Sequence, residues 1–309
     1  MTEVLPRGLP VASARSAQRQ AHRRIRANLP AALLFLAPAA AALLILRVVP
    51  AGIALWQSFF HRSLLAGGSV FVGLRNYTDL FTDPGFLGAL RVTVLFSLII
   101  NPVQIAASFA LAVLYTRRFA GTSLWRSLVI LPVAAPAAVA TVIWSVIYRA
   151  DGLANALLRA VGIPPQPFVS SSGQALLSII VLLSWTGVGY WMLFLIAGIN
   201  DIPTSYYEAA SLDGATAWRQ IWGITLPLVR RPLAFVLIAD TVANFLVFAP
   251  AQILTQGGPN GSTNLLMYDI YSRAYTAGDV NTAYAEVVLL VLLTLGIVAV
   301  QFRLLSADQ

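Results

Sequence analysis

Six stretches of this sequence stay apolar for long enough to cross a bilayer, for which about 20 residues are needed. They run from Pro30 to Phe59, Leu90 to Tyr115, Leu124 to Tyr148, Ala175 to Ile199, Pro232 to Leu254 and Ala283 to Leu304. Only 10% of the 309 residues are Asp, Glu, Lys or Arg, whereas soluble domains run near a quarter. A water-facing surface cannot be built from so few charges, which excludes an ordinary soluble domain, and so much hydrophobic sequence excludes disorder. The expected fold is all-α and integral to the membrane, with six transmembrane helices. The first stretch exceeds the roughly 7–15 apolar residues of a signal peptide and reads as a retained span.

All 20 basic residues are Arg. Without Lys the chain can form neither a phosphate-binding P-loop nor a Schiff base, so any ATP hydrolysis falls to a partner. Six of the Arg lie in the first 26 residues. Residues 1–29 therefore read as a cytoplasmic tail, and 30–309 as the six-span domain. With the N-terminus inside, the inside segments hold thirteen Arg and the outside segments six, Arg47 counting in neither, which places both termini in the cytoplasm. No basic stripe interleaved with aromatics marks a nucleic-acid face. There is no Cys, and His22 and His61 are too scattered to ligate a metal.

Pro38, Pro50, Pro102, Pro132 and Pro136 interrupt the spans. Each is either a simple kink or a place where neighbouring helices or a cavity satisfy the freed carbonyl.

The loop between the fourth and fifth spans, at about residues 200–231, carries the most information. Pro203-Thr204 can open a helix, Tyr206, Ala209, Ala210 and Leu212 supply its apolar side, and Asp213-Gly214 stops it. A second amphipathic piece places Trp218, Ile221, Trp222 and Leu226 near one face before Pro227 breaks it. Two short helices joined at a glycine suit a rigid docking protrusion, or a helix pair lying on the membrane surface.

Glu208-Ala209-Ala210, three residues, Gly214, nine residues, Ile224, one residue, and Leu226-Pro227 resemble at every fixed position the EAA loop of bacterial ABC importer permeases. The resemblance continues in Phe71–Leu90, Arg126–Trp144 and the glycine-rich Leu254–Thr263. These are similar to the maltose and glycerol-phosphate type of carbohydrate permease, nearest the F-type subunit of the maltose system. It implies a non-enzymatic subunit working with a second permease, two ATP-binding subunits that bind ATP and Mg, and an external solute-binding protein. The loop would be the coupling helix, with Glu208 contacting the ATPase and Asp213-Gly214 making the turn. The sequence departs from the family where Phe248 is followed by Ala249 instead of Asp.

Polar residues inside spans face a cavity or another helix. Asp240, Thr241, Asn244, Phe248 and Gln252 fall near one stripe by steps of three and four. Asp240, Asn244, Gln252, Phe245 and Phe248 mix a carboxylate and amides with rings as a hydroxyl-rich solute requires, although a packing stripe has the same pattern. The fourth span adds Trp185, Thr186, Gly189 and Tyr190, as solute contacts or as small residues for close packing. Arg47 matches Glu286 in depth; paired, the two leave a neutral saccharide as the favoured solute, whereas an unpaired Arg47 facing the cavity would suit a phosphate ester. Asn76 and Asn260 open sequon-like triplets that read as turns. An ion-coupled secondary transporter would require an internal repeat, and a membrane enzyme a clustered catalytic set; neither pattern is present.

Overall fold

The computed structural model describes residues 34–63, 68–117 and 121–306. The Arg-rich tail, with His22, lies outside them. The chain divides into two units, Met1–Trp56 and Gln57–Gln309. The described part of the first unit, residues 34–56, belongs to helix α1, Leu34–Gln57, whose side chains are almost all exposed, Arg47 among them.

The second unit begins with a hairpin, β1 (Phe60–Ser63) antiparallel to β2 (Gly68–Phe71), and a short helix α2, Arg75–Leu80. Asn76 is buried on α2 and donates to the carbonyls of Ser58 and Phe60, both at 2.7 Å. The expected turn at Asn76 is thus a helix that pins the hairpin. Asn260, with φ +52°, does sit in a turn.

The long helices are α3 (Pro84–Thr116), α7 (Ala175–Asn200) and α12 (Val280–Ser306). Together with α1 they are four helices long and apolar enough to cross a membrane, and up to six if each of two bent pairs is counted as one span. In the first pair, α4 (Thr122–Ile130) runs through a 3₁₀ turn at Leu131–Ala134 and meets α5 (Ala137–Ile147) at 104°. The third span breaks at the prolines that interrupt it in the sequence, because Pro136 forces the preceding Ala135 to extended backbone, ψ 125°. A short helix, α6 (Leu153–Ala160), leads on to α7.

In the second pair, α9 (Ala217–Leu228) meets α10 (Arg230–Phe245) at 69°. The bend falls at Val229, φ −91° and ψ 9°, two residues past Pro227. Pro227 has no amide hydrogen to donate to Gly223, and the helix widens to a π turn over Ile221–Thr225 just upstream. Sixteen residues give α10 a length of roughly 24 Å, less than the roughly 30 Å hydrocarbon core. Because α10 stops at Phe245, the stripe expected to join Asp240, Asn244, Phe248 and Gln252 is cut, and Gln252 lies on a separate π turn, Ala251–Thr255.

The core is built where α7 presses on its neighbours. A Cβ on Gly189 would stand 2.2 Å from the Val129 carbonyl oxygen, and one on Gly198 would stand 2.5 Å from Pro232 Cγ. Small residues on the fourth span thus serve close helix contact there, the packing alternative named above. Ala112, Met192, Leu195, Ile199 and Val236 fill one cluster between α3, α7 and α10. Leu80, Phe86, Phe245, Leu266 and Leu290 fill another towards α12 and its preceding helix α11, Leu266–Tyr271.

Candidate functional site

The EAA-type loop forms α8, Thr204–Leu212, then a turn, then α9. Gly214 has φ +74°, and its amide donates to the Ser211 carbonyl at 3.1 Å. The next amide, Ala215, donates to the Ala210 carbonyl at 2.8 Å. These are the two bonds of a Schellman closure, in which the left-handed residue lies four positions after the accepting carbonyl. The spacing from Ala210 to Gly214 follows from that geometry. Thr216 restarts the chain as the N-cap of α9, accepting from the Arg219 amide at 3.4 Å.

Side chains then lock the two helices. Tyr207 and Thr225 share a hydroxyl contact at 3.0 Å, and Gln220 donates to Ser211 Oγ at 2.9 Å. The sequence assigned the apolar side of α8 to Tyr206, Ala209, Ala210 and Leu212. Of these only Ala210 is half-buried; Tyr207 supplies the inward face, because its hydroxyl finds a partner in Thr225. Leu212 is 90% exposed, with Tyr206, Glu208, Ala209, Asp213 and Pro227 also exposed and Leu226 half-buried. Glu208 and Leu212, one turn apart, share a face, and Glu208 has no ion pair or hydrogen bond among the described residues. On α9, Ile221 and Leu226 are half-buried whereas Trp218 and Trp222 are exposed.

A polar seam crosses the helices of the second unit. Asn244 donates to Asn101 Oδ1 at 2.7 Å and to Gln104 Oε1 at 3.3 Å. Asn101 donates to Ser97 and Thr241, Gln301 also donates to Thr241, and Gln104 donates to the Leu183 carbonyl. Trp191 Nε1 donates to Asp240 Oδ1 at 2.7 Å. In lipid such groups must find partners inside the protein, and this seam provides them for most of its atoms, Asp240 Oδ2 and Gln301 Oε1 having none among the described residues. Asp240 is 1% and Asn244 5% exposed, and Phe245 is buried too. Trp185 and Tyr190, by contrast, are 40% and 42% exposed, with Phe248 and Gln252 half-buried. Gln252 Oε1 has no hydrogen-bond partner among the described residues. Sequence reasoning missed Asn101, Gln104 and Trp191; polar residues at Asn101 and Gln104, one turn apart inside an apolar run, were the signal available.

Glu286 is fully buried and has a cationic partner within its own unit. Arg273 Nε lies 3.3 Å from Glu286 Oε2, while Arg273 Nη2 lies 2.6 Å from Asp83 Oδ2 and 3.3 Å from Asp269 Oδ2. Asp83 is also the N-cap of α3, Oδ1 accepting from the Gly85 amide at 2.8 Å. Burial opposes ionisation of Asp83, but the Arg273 hydrogen bond and charge prevail and hold its carboxyl below the ordinary value. The i,i+4 spacing of Asp269 and Arg273 was visible in the sequence; the other two acids were not.

Long apolar helices with a buried polar seam between them, carrying an exposed and rigidly closed loop, define an integral membrane protein. Residues 104–307 match the family of binding-protein-dependent transport system inner membrane components, and the chain belongs to that family. It is thus an integral membrane permease of an ABC importer that works with a binding protein. The sn-glycerol-3-phosphate transport system permease protein UgpA of Agrobacterium fabrum (strain C58) is 34% identical over 256 residues, 82% of this chain and 87% of the relative. Its counterpart from Brucella abortus biovar 1 has the same identity and coverage. Among solved structures, a bacterial ABC transporter that imports the acidic polysaccharide alginate superposes with a TM-score of 0.78 at 19% identity, over 93% of this chain and 99% of that one. The alginate transporter in complex with a pentasaccharide-bound periplasmic protein gives 0.78 at 20% identity, over 90% and 94%. These likenesses carry the fold.

Proposed function

We propose that α8 is the coupling helix of an ABC importer, docking into an ATP-binding subunit that holds ATP and Mg, and that two such subunits, a second permease and an external solute-binding protein complete the machine. The observation that carries this reading is the exposed crest of Glu208 and Leu212 on a helix fixed by the Schellman turn at Gly214. Leu212 is 90% exposed beside Glu208, which is unpaired among the described residues, so the crest offers an apolar and an anionic group together to a docking partner. The Arg distribution supports a cytoplasmic position for this crest and for both termini. ATP binding on the partners would push α8, the bent α9–α10 pair would carry that movement into the membrane, and the solute cavity would turn outward. Leu212→Asp should abolish co-purification with the ATP-binding subunits; undiminished co-purification removes the docking role.

The solute is read as hydroxyl-rich and of the saccharide class, held by the exposed rings of Trp185 and Tyr190 with Phe248 and Gln252. Asp240, Asn244 and Phe245 would shape that region from beneath. Arg273, already facing three carboxylates, is not free to grip a phosphate. Glycerol-3-phosphate is the second reading, favoured by the transport system for which both relatives are named. Competition of glycerol-3-phosphate and of neutral disaccharides against uptake by cells carrying the whole system separates the two.

A further inference from the structure

The last turns of α3 carry Ala106, Phe109, Ala110, Val113, Leu114 and Arg117 at spacings of three and four, hence on one face. Opposite them stand Trp218, Ile221 and Trp222 of α9, and the two faces enclose a groove of about 580 Å³. That volume lies within the roughly 300–1,000 Å³ of ligand pockets. Every lining side chain except Arg117, at the end of α3, is hydrocarbon or indole. Trp218 and Trp222 are exposed and meet edge to face with ring centroids 5.5 Å apart. Among the described residues the Arg117 guanidinium has neither an ion pair nor a hydrogen-bond partner.

A hydrocarbon slot that ends in an unneutralised guanidinium beside two indoles is complementary to an amphiphile with an apolar tail and an anionic head. We propose that this groove binds an anionic phospholipid, its acyl chain along the Ala106–Leu114 face of α3 and its phosphate on Arg117. The guanidinium fork matches phosphate oxygens, and the indoles sit where the chain passes into the headgroup layer. A partner's transmembrane helix would fill the slot equally well but would leave Arg117 without a counter-charge. The site requires only that α3 be a membrane span; it does not depend on what α8 docks into, and its test includes no ATPase measurement.

The full chain, purified with whatever subunits accompany it from a membrane of phosphatidylethanolamine and phosphatidylglycerol, is examined by native mass spectrometry after detergent washing. The wild type retains phosphatidylglycerol in preference to phosphatidylethanolamine. Arg117→Gln lowers that occupancy about fivefold, the effect of one basic residue at a lipid surface, and Arg117→Lys keeps most of it. Ala110→Phe, which fills the slot and leaves Arg117 in place, displaces the lipid. Should Arg117→Gln yield no stable protein, Ala110→Phe and the wild-type preference decide. Equal retention of the two lipids by the wild type, or unchanged phosphatidylglycerol in the variants, overturns the proposal. So does a partner helix cross-linked to Trp218→Cys within the groove.

Discussion

Arg273 Nη2 donates to Asp83 Oδ2 at 2.6 Å across 190 residues of chain, tying the N-cap of α3 to the turn that follows α11. The same guanidinium reaches Glu286 on α12, so one side chain holds three elements together.

Removing Arg273 leaves Glu286 buried without its cation, which costs about 3–5 kcal/mol when a buried pair is broken. Arg273→Gln should therefore lower the melting temperature of the detergent-solubilised protein strongly, and Glu286→Gln should recover part of the loss in the double variant. Arg47→Gln should gain nothing from Glu286→Gln. Additive losses for Arg273 and Glu286 would show that the pair is not coupled.

Asp83 gives this junction an acid limit. Its carboxyl is held below the ordinary value, so its contribution is fully present above the unfolded-state value, about 3.9, and is lost as pH falls through the folded value. The melting temperature should drop on acidification below about pH 4, and Asp83→Asn should be less stable at pH 7 yet show a flatter acid limb. A thermal-shift series across pH 3 to 7 (roughly the span bracketing that value) measures both.

At Gly214 a Cβ would meet open space, so substitution acts through backbone conformation alone. Holding an L-residue left-handed costs about 1–2 kcal/mol, and more if it is β-branched. Gly214→Val should insert normally yet lose co-purification with the ATP-binding subunit and solute-stimulated hydrolysis, whereas Gly214→Asn should keep both. A fully coupled Val variant would separate this turn from energy transfer.

Orientation can be read with single cysteines because the chain has none of its own. Ser262 is a poor reporter, since its hydroxyl is sealed from solvent. Ser205 on α8 and Ala277 between α11 and α12 are both exposed. An impermeant thiol reagent outside intact cells should label Ala277→Cys and spare Ser205→Cys; the opposite pattern reverses the topology.

Asp240 meets Trp191 Nε1 at 2.7 Å inside the seam. Trp191→Phe, which strips that donor from a buried acid, should cost about 1–3 kcal/mol of stability. Asp240→Asn, which keeps an oxygen for the indole, should cost less and leave solute affinity nearly unchanged. A large loss of affinity in well-folded Asp240→Asn would instead place this side chain on the solute.

The positions of the apolar segments and the turn at Gly214 were set by the sequence alone, because both are local. Hydrophobic length is counted residue by residue, and a Schellman closure spans six residues whose order is sufficient to specify it. Pro132 and Pro136 likewise marked where the third span breaks, though not the 104° between its halves, which depends on what α4 and α5 pack against. Which face of each helix turns inward was decided only in the tertiary structure. In water the buried face of a helix is the apolar one, but here the core and the lipid are equally apolar, so Leu195, fully buried against α3 and α10, and Phe194, 37% exposed, look alike in sequence. Polar residues gave the one visible cue, and even there chain order could not show that Asn244 meets Asn101, or that Glu286 is paired with Arg273. Those pairings follow from helix depth and rotation, which chain folding fixes at separations of more than a hundred residues for the first and of 13 for the second.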